Sequence, residues 1–460
     1  MGRPTTRLQV SGYRFLMRRM EHALVRADVR MLDDPLRGQS LALAAGAVLA
    51  AILLAGCAIL ALLRPQAGLA DAVIVMDERS GALYVRIGDT LHPVPNLASA
   101  RLVVGDAADP RTVSAQALAA ARRGPQVGIP GAPATIGPAM PPEDTGWTVC
   151  DTATSTTVIV GPSPPGALAP DEAVLVTARS EGPAVTYLLS GGRRAAVDLR
   201  DTAAVRALRL EGVTPRPVSR TLLDALPESP PITAPGVPGA GGRGALAGHP
   251  VGAVVRLPRA DATEYFVVLA DGVQRVGEVT ADLIRFTVTQ REGEIPTVAP
   301  DAVAAAGVVD TLPTATYPDR LSVVDPALLC AHWATDGTDV TTALLDGTQA
   351  LPQSGGVELA QADGAGPRVD AVVVPAGRSV LTRPVSVTGA GGEAAPRSLM
   401  TDLGVLFGVP DDDTARHLGI VTTPAPAPWP VLARLPRGPE LSRAAASVAR
   451  DAAGAAAPVR

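Results

Sequence analysis

Three cysteines and five histidines are the residues of this 460-residue chain that could bind a metal or act as nucleophiles. The histidines stand singly, and the metalloprotease pattern H-E-x-x-H does not occur; they are His22, His92, His249, His332 and His417. Cys330 lies close before His332, but a zinc site needs about four ligands, and no further cysteine or histidine stands near this pair. We therefore predict no metal site and no cofactor.

Phosphate chemistry has little support in the sequence. Residues 239–244 (GAGGRG) satisfy the pattern G-x-G-x-x-G, but PPITAPGVP precedes them and HPVG follows, so the strand-to-helix turn of a dinucleotide site is missing. All 40 lysine and arginine positions are arginine, which excludes a P-loop lysine and a Schiff base. The nucleophile pattern G-x-S-x-G is also absent. We predict no catalytic residue.

Residues 41–63 (LALAAGAVLAAILLAGCAILALL) form an uncharged apolar stretch. This element must position the functional parts of the chain. Its length gives a helix of about 34 Å, enough to cross a hydrocarbon core of about 30 Å. The segment L-A-G-C ending at Cys57 also forms a lipobox, at which bacterial lipoproteins are cleaved and lipidated. A secretory apolar region spans only about 7 to 15 residues. The length therefore favours an uncleaved transmembrane helix, with a lipoprotein as the alternative.

The distribution of arginine predicts the orientation of this helix. Residues 1–40 contain eight arginines, whereas Arg64, Arg79 and Arg86 are the arginines soon after the span. Basic residues flanking a transmembrane helix are retained in the cytosol. We expect a single-pass protein of the plasma membrane with a cytosolic N-terminus and with residues 64–460 exported. Because the basic residues are concentrated in a short leader of a chain with formal net charge −5, nucleic-acid binding is not indicated.

The leader itself predicts an amphipathic helix over residues 11–31, with Ser11 as the N-cap. Apolar residues follow helical spacing on one side, and every fourth residue from 14 to 30 is basic on the other. Such helices lie on anionic lipid or dock on a partner. Both interpretations stay open; the predicted docking residues are Arg14, Arg18, Arg26, Arg30, Leu16, Met20 and Leu24.

Four similar segments recur after the span. Each has a short apolar run, a turn with glycine or aspartate, a second run that ends in valine, and then alanine and leucine at helical spacing; they are residues 84–104, 187–208, 265–286 and 399–420. This pattern predicts a hairpin followed by a short helix, which needs flanking strands to bury enough surface. Proline- and glycine-rich segments between them are expected to be spacers: 124–142, 227–250 and 424–430.

Cys150 and Cys330 lie outside all four repeated segments, and we expect their surroundings to form a central core. They are the two cysteines on the exported side, and an oxidising compartment makes their pairing the default. We predict a disulfide between them, with two buried free thiols as the competing outcome.

The leader RPTTRLQVSGYRFLMRRMEHALVRADVRMLDDPLR, the span and SGALYVRIGDTLHPVPNLASARLVVG (80–105) together resemble the EccB family. EccB is the single-span membrane component of type VII (ESX) secretion systems. The resemblance implies a structural subunit with four repeat domains around a core. It also implies four partners: the EccC motor ATPase, EccD, EccE and the mycosin protease. Members are sometimes labelled ATPases, so a nucleotide hydrolase is an alternative function, and an exported lipoprotein that binds cell-wall material is another.

The expected fold class is α+β, with a cytosolic amphipathic helix, one transmembrane helix and an elongated exported region that has a central β-rich core and four small repeat domains. The leader is assigned to residues 1–40 and the span to 41–63. The expected repeat domains and core segments, in chain order, are the first repeat (64–123), the first core segment (124–175), the second repeat (176–226), the third repeat (251–300), the second core segment (301–384), the fourth repeat (385–440) and a C-terminal tail (441–460).

Overall fold

The computed structural model describes residues 6–27, 35–63, 69, 71–179, 185–260, 262–289, 294–337, 339–349, 356–391 and 395–451. The chain divides into two compact units, Met1–Gly68 and Leu69–Arg460. The N-terminal unit contains helices α1 (Arg7–Arg26) and α2 (Pro35–Leu63). The C-terminal unit contains all the strands described below, so the protein is mixed α and β.

Helix α1 begins earlier than the sequence predicted. The side chain of Gln9 accepts a hydrogen bond from the Thr6 backbone N–H at 3.1 Å, the return half of a capping box. Thr6 is therefore the N-cap, and the prediction of Ser11 was wrong because the Thr6–Gln9 pair starts the helix one turn sooner. The helix ends at Arg26. Residues 28–31 of the predicted helix, including Arg30, lie outside the described residues.

Helix α2 contains the predicted span. Its stretch Gly38–Leu60 has 23 residues with a mean hydropathy of 2.6, which by length and composition suffices to cross a membrane. Pro35 occupies the first helical position, where its missing N–H leaves no hydrogen bond unmade. Cys57 lies inside this helix with an exposed side chain.

The four repeated segments each form two antiparallel strands followed by a helix, as the pattern predicted. These hairpins pair β2 (Leu83–Ile87) with β3 (Thr90–Val94), β10 (Thr186–Ser190) with β11 (Arg193–Ala196), β15 (Thr263–Val268) with β16 (Val273–Val276), and β23 (Arg397–Thr401) with β24 (Leu406–Val409). The helices that follow are α3 (Leu97–Val104), α5 (Thr202–Ala207), α7 (Glu278–Ile284) and α9 (Asp412–His417).

Polar side chains start three of these four helices. Asn96, Asp201 and Asp411 each accept backbone N–H groups of the first helical turn, whereas Gly277 occupies the same position before α7. A side-chain oxygen at this position satisfies N–H groups that the helix cannot pair internally. The cap explains why the chain turns from strand to helix at equivalent points.

Each hairpin belongs to a larger module that contains flanking strands, as the sequence predicted without locating them. A strand precedes every hairpin: β1 (Ile74–Asp77), β9 (Glu172–Ala178), β14 (Val254–Pro258) and β22 (Ser379–Val385). A parallel strand joins this first strand after the helix: β4 (Arg111–Val113), β12 (Arg216–Val218), the bridge at Thr297, and β25 (Ala425–Pro428). A second helix follows: α4 (Ala115–Ala120), α6 (Arg220–Asp224), α8 (Pro300–Ala306) and α10 (Trp429–Leu432).

A last short segment adds to the third strand of each module, again in parallel. These segments are β5 (Arg122–Arg123), β13 (Glu228–Ser229) and the bridges at Val308 and Arg437. We name residues 74–123, 172–229, 254–308 and 379–437 modules 1 to 4. Residues 424–430, expected to be a spacer, instead contain β25 and the start of α10. The prolines are tolerated because β25 is an edge strand of its sheet.

A separate central sheet has the strand order β19-β18-β7-β8-β21-β20. Its strands are β7 (Gly146–Asp151), β8 (Thr156–Gly161), β18 (Leu329–Thr335), β19 (Val340–Asp346), β20 (Val357–Glu358) and β21 (Ala371–Val373). Shorter elements complete the described chain: β6 (Gln126–Val127), β17 (Ser322–Val323), α11 (Arg443–Ala446), β26 (Ala449–Arg450), two 3₁₀ turns (Pro142–Asp144 and Gly347–Gln349) and a π-helical turn (Arg285–Thr289).

The predicted domain boundaries differ from the sheets at the starts of modules 2 and 4, and the predicted ends at 226 and 300 leave out β13 and most of α8. Strand β9 begins at Glu172, inside the first expected core segment, and β22 begins at Ser379, inside the second. Both strands pair with hairpins of modules 2 and 4. The cause is that each module starts one strand before its hairpin. Whether the modules are the separate repeat domains that the resemblance implies stays a prediction.

Neighbouring modules share hydrophobic clusters, and these clusters define the order in which the modules pack. Helix α3 packs near α9, and modules 1 and 4 bury one common cluster that includes Leu102, Leu418 and Leu441. Helix α5 packs against α7, which joins modules 2 and 3. The largest cluster combines the central sheet with residues of modules 2 and 4. The order of packing is therefore module 1, module 4, module 2, module 3, which differs from their order in the chain.

Candidate functional site

The central sheet brings the two cysteines together. Cys150 in β7 and Cys330 in β18 are directly opposite in the antiparallel register, with Cα atoms 4.0 Å apart, and they form a disulfide. Both are buried. The structure thus contains the predicted bond in a shared core, and the bond joins segments 180 residues apart in sequence.

The local sequence explains why these strands are buried on both faces. All six residues of β7 are buried, and alternate side chains point to opposite sides. Trp147 lies opposite Trp333, and both pack in the large core shared with modules 2 and 4. Cys150 and Cys330 pack on the other side in a small cluster with Leu345.

Glycine closes the small cluster over the disulfide. A Cβ atom added at Gly347 would overlap the Cys330 Sγ and lie 2.7 Å from the Leu328 Cγ. Gly347 N–H donates to the Leu328 carbonyl at 2.7 Å, which holds this backbone against β18. A side chain at position 347 would therefore displace the sulfur or Leu328.

His332 is a buried, neutral residue of the same sheet face. Its Nδ1 lies 2.8 Å from the hydroxyl of Thr148, its cross-strand partner, next to the disulfide pair on that face. Burial lowers the pKa of His332 from 6.5 to about 4. Among the residues that the structure describes, no group of three or more histidine, cysteine or acidic side chains is placed to hold a metal ion.

A pH dependence follows from this depressed pKa. The unfolded chain binds a proton at His332 near pH 6.5 while the folded chain resists protonation until about pH 4, so this residue favours folding above that window. We expect the free energy of unfolding to fall as the pH is lowered from 6.5 to 4. Chemical denaturation of the wild type and of His332→Asn across this range measures it. The variant should lose this component, and an identical pH profile would contradict the assignment.

Asp151, which sequence reasoning missed, connects the central sheet to module 2. Its carboxylate accepts a hydrogen bond from the Ser219 backbone N–H at the start of α6 and forms an ion pair with Arg179 at 3.3 Å. Arg179 also donates to the Thr152 carbonyl at 2.8 Å. Burial raises the pKa of Asp151, opposed by the Ser219 N–H and Arg179. A single acidic residue ending the apolar strand TGWTVCD was the available indication of a buried partner.

The predicted docking residues of the leader other than Arg30 lie on α1. Arg14 and Arg18 occupy successive turns of one face, and Leu16, Met20 and Leu24 are exposed on another. Arg26 ends the helix, and Arg30 lies outside the described residues. The docking role of these residues stays a prediction.

The glycine motif at 239–244 lies in the loop between β13 and β14 and not between a strand and a helix. Gly239 and Gly241 adopt positive φ values of 76° and 82°, as turn glycines do. Arg243 forms an isolated antiparallel bridge with Pro250. The segment is thus a compact loop.

Comparison with known proteins identifies the family. The family model for the type VII secretion system ESX-1 transport TM domain B, EccB, matches residues 2–455. The chain belongs to the EccB family. Its fold also matches that of solved chains from ESX complexes.

Curated EccB relatives match over nearly their whole length. The "ESX-3 secretion system ATPase EccB3" of Mycolicibacterium smegmatis is 38% identical over 97% of this chain and 91% of its own length. The "ESX-5 secretion system ATPase EccB5" of Mycobacterium tuberculosis is 37% identical, with 97% and 94% covered. Both names contain the word ATPase.

Solved structures match as well. A chain of an intact ESX-5 inner membrane complex superposes with a TM-score of 0.72 at 33% identity, covering 100% of this chain and 98% of that one. A chain of the EccB3 dimer from the ESX-3 core complex gives a TM-score of 0.69 at 33% identity, covering 82% and 100%. The similarity extends from the N-terminal helices through the four modules.

Proposed function

We propose that this EccB-family chain is a structural subunit of a type VII (ESX) secretion complex in the plasma membrane. The observation that carries the proposal is the match of the entire chain to a subunit of an ESX-5 inner membrane complex at 33% identity. The chain anchors and organises the assembly, and protein export is driven by another subunit. The modules 1 to 4 correspond to the repeat domains of the family, arranged around the central sheet.

Different parts of the chain supply different functions of such a scaffold. Helix α2 supplies the anchor, because it is apolar enough to stay in the bilayer. Helix α1 offers a basic face and an apolar face to a neighbouring subunit on the cytosolic side. The C-terminal unit is exported and is closed by a disulfide suited to an oxidising compartment. By family resemblance, the partners are EccC, EccD, EccE and the mycosin protease.

Co-purification tests this function. The tagged chain, extracted from its own membranes in mild detergent, should carry EccC, EccD and EccE identified by mass spectrometry, in amounts far above those obtained with an unrelated single-span protein. Recovery of the chain alone from membranes that contain those subunits would contradict the proposal.

Nucleotide hydrolysis is the second candidate, suggested by the word ATPase in the names of curated relatives. The absence of lysine from the chain removes the P-loop arrangement. We expect ATP turnover in the purified complex to disappear when the Walker lysine of EccC is replaced. Turnover that persists there and is retained by the isolated chain would favour the hydrolase.

The orientation gives a further prediction. A reporter fused after residue 35 should be active on the cytosolic side, and a reporter fused after residue 110 on the exported side, because eight arginines precede the span. Paired phosphatase and fluorescent fusions measure this. A mature protein that begins at lipidated Cys57 would show the lipoprotein processing instead.

A further inference from the structure

The second helices of the four modules differ in side-chain size at one equivalent position. Counting from the cap residues Ser114, Ser219, Ala299 and Pro428, the third helical residue is Ala117, Leu222, Ala302 and Val431 in modules 1 to 4. The fourth is Leu118, Leu223, Val303 and Leu432. Modules 2 and 4 thus carry a large apolar residue at the third position, and modules 1 and 3 carry alanine.

In modules 1 and 3, the residue at the fourth position packs within its own module. Leu118 packs with Val75 and Val113 of its own module. Val303 packs with Val255 and Val268 of its own module. The fourth residue therefore holds the helix to its own sheet in these two modules, and its large side chain is kept in modules 2 and 4.

The third position separates the modules by what covers their second helix. Leu222 and Val431 are fully buried in the core that contains the central sheet. Helix α6 packs against strand β7 and against α10. Ala117 and Ala302 are half-buried and lie outside that core, and Ala302 packs against the core of its own module. A leucine or valine at this position buries apolar area that alanine lacks, so it stabilises docking on another surface.

We propose that the third residue of the second helix determines which modules dock on the central sheet. Leu222 and Val431 provide the apolar contact that places modules 2 and 4 against it. Alanine at 117 and 302 leaves modules 1 and 3 outside, held through their first helices. The same fold is thereby assigned an inner or an outer place by one side chain, independently of the function proposed above.

Other contacts also join module 2 to the central sheet, and the test must separate them from Leu222. The Asp151 carboxylate accepts a hydrogen bond from the Ser219 N–H. The hairpin turn at Gly192 lies so close to strand β19 that a Cβ atom added there would overlap the Thr342 carbonyl oxygen. These contacts involve backbone and polar groups at the edges of the junction. Their persistence in a Leu222 variant would keep module 2 near the sheet without burying the helix.

Amide hydrogen exchange on the full chain in detergent distinguishes the two roles. In Leu222→Ala we expect exchange in α6 and β7 to accelerate about tenfold or more, while β9 to β11 of the same module retain wild-type rates. The matched control is Leu223→Ala, one residue along the helix, which should accelerate β9 to β11 as well. Leu222→Met, which conserves volume, should exchange as the wild type does.

Two results would overturn the inference. One is unchanged exchange in α6 and β7 of Leu222→Ala, which would mean that the polar contacts dock module 2 on their own. The other is equal acceleration of β9 to β11 by both alanine variants, which would make Leu222 an ordinary core residue of its module. If Leu222→Ala does not fold, Leu222→Val is measured instead, with the same expected pattern at smaller amplitude.

Discussion

Replacing Cys150 and Cys330 together by alanine is expected to lower the free energy of unfolding of the C-terminal unit substantially. The bond closes a loop spanning 180 residues, and the chain-entropy relation for a loop of this length gives about 5 kcal/mol as an upper figure. Aromatic residues make up only 3% of the chain, so few large side chains are available to compensate. The effect should be among the largest of any double substitution.

Tryptophan fluorescence during urea denaturation measures this loss. Trp147 and Trp333 are buried cross-strand partners in the same two strands as the cysteines, so their emission follows the opening of the central sheet. Cys57→Ala is the matched control, because this cysteine is free and exposed on α2, and it should leave the midpoint unchanged. An unchanged midpoint in the double variant would show that the disulfide does not stabilise the sheet.

Changing Arg18, Arg26 and Arg30 together to glutamate is expected to abolish recovery of the partner subunits with the chain. The reversal places three negative charges on the basic face of the leader, where a docked partner of complementary charge would be repelled. The C-terminal unit should still form its disulfide, since it is compact and separate from the unit that contains the leader. Quantitative mass spectrometry of the purified complex measures the loss.

The control for this experiment replaces the same three arginines by lysine. Lysine keeps the positive charge that favours a cytosolic leader, so topology and assembly should both be retained. The reporter fusions are repeated in the glutamate variant to verify its orientation. Full recovery of the partners by a correctly oriented glutamate variant would leave lipid binding as the role of α1.

The hairpins and their helices could be predicted from sequence, whereas the parallel strands could not. A hairpin joins neighbouring residues, so its turn and apolar alternation are visible locally, as in the strands that end at Val94 and Val276. Strands β4 and β12 have three residues each and pair with strands several tens of residues earlier. Such short segments carry no periodicity, and the prolines of β25 indicated a spacer instead.

The candidate site likewise has one part that could be predicted from the sequence and another part that could not. The pairing of Cys150 with Cys330 could be predicted because the compartment and the cysteine count left one natural pair. The environment of His332 and the carboxylate of Asp151 depended on which strands lie next to β7, and that neighbour relation is set by tertiary packing. The role of Leu222 could not be predicted from the sequence for a further reason. It becomes apparent only when the second helices of all four modules are aligned.

The common core of modules 1 and 4 has a consequence for the order in which the protein matures. Module 1 is synthesised first, yet its helix α3 packs in a cluster with Leu418, Leu441 and Ala446, which are synthesised near the end. The apolar surface of a nascent module 1 therefore stays incompletely buried until the last module has been synthesised. Chaperone protection of that surface during synthesis would therefore be needed longest for the module that directly follows α2 in the chain.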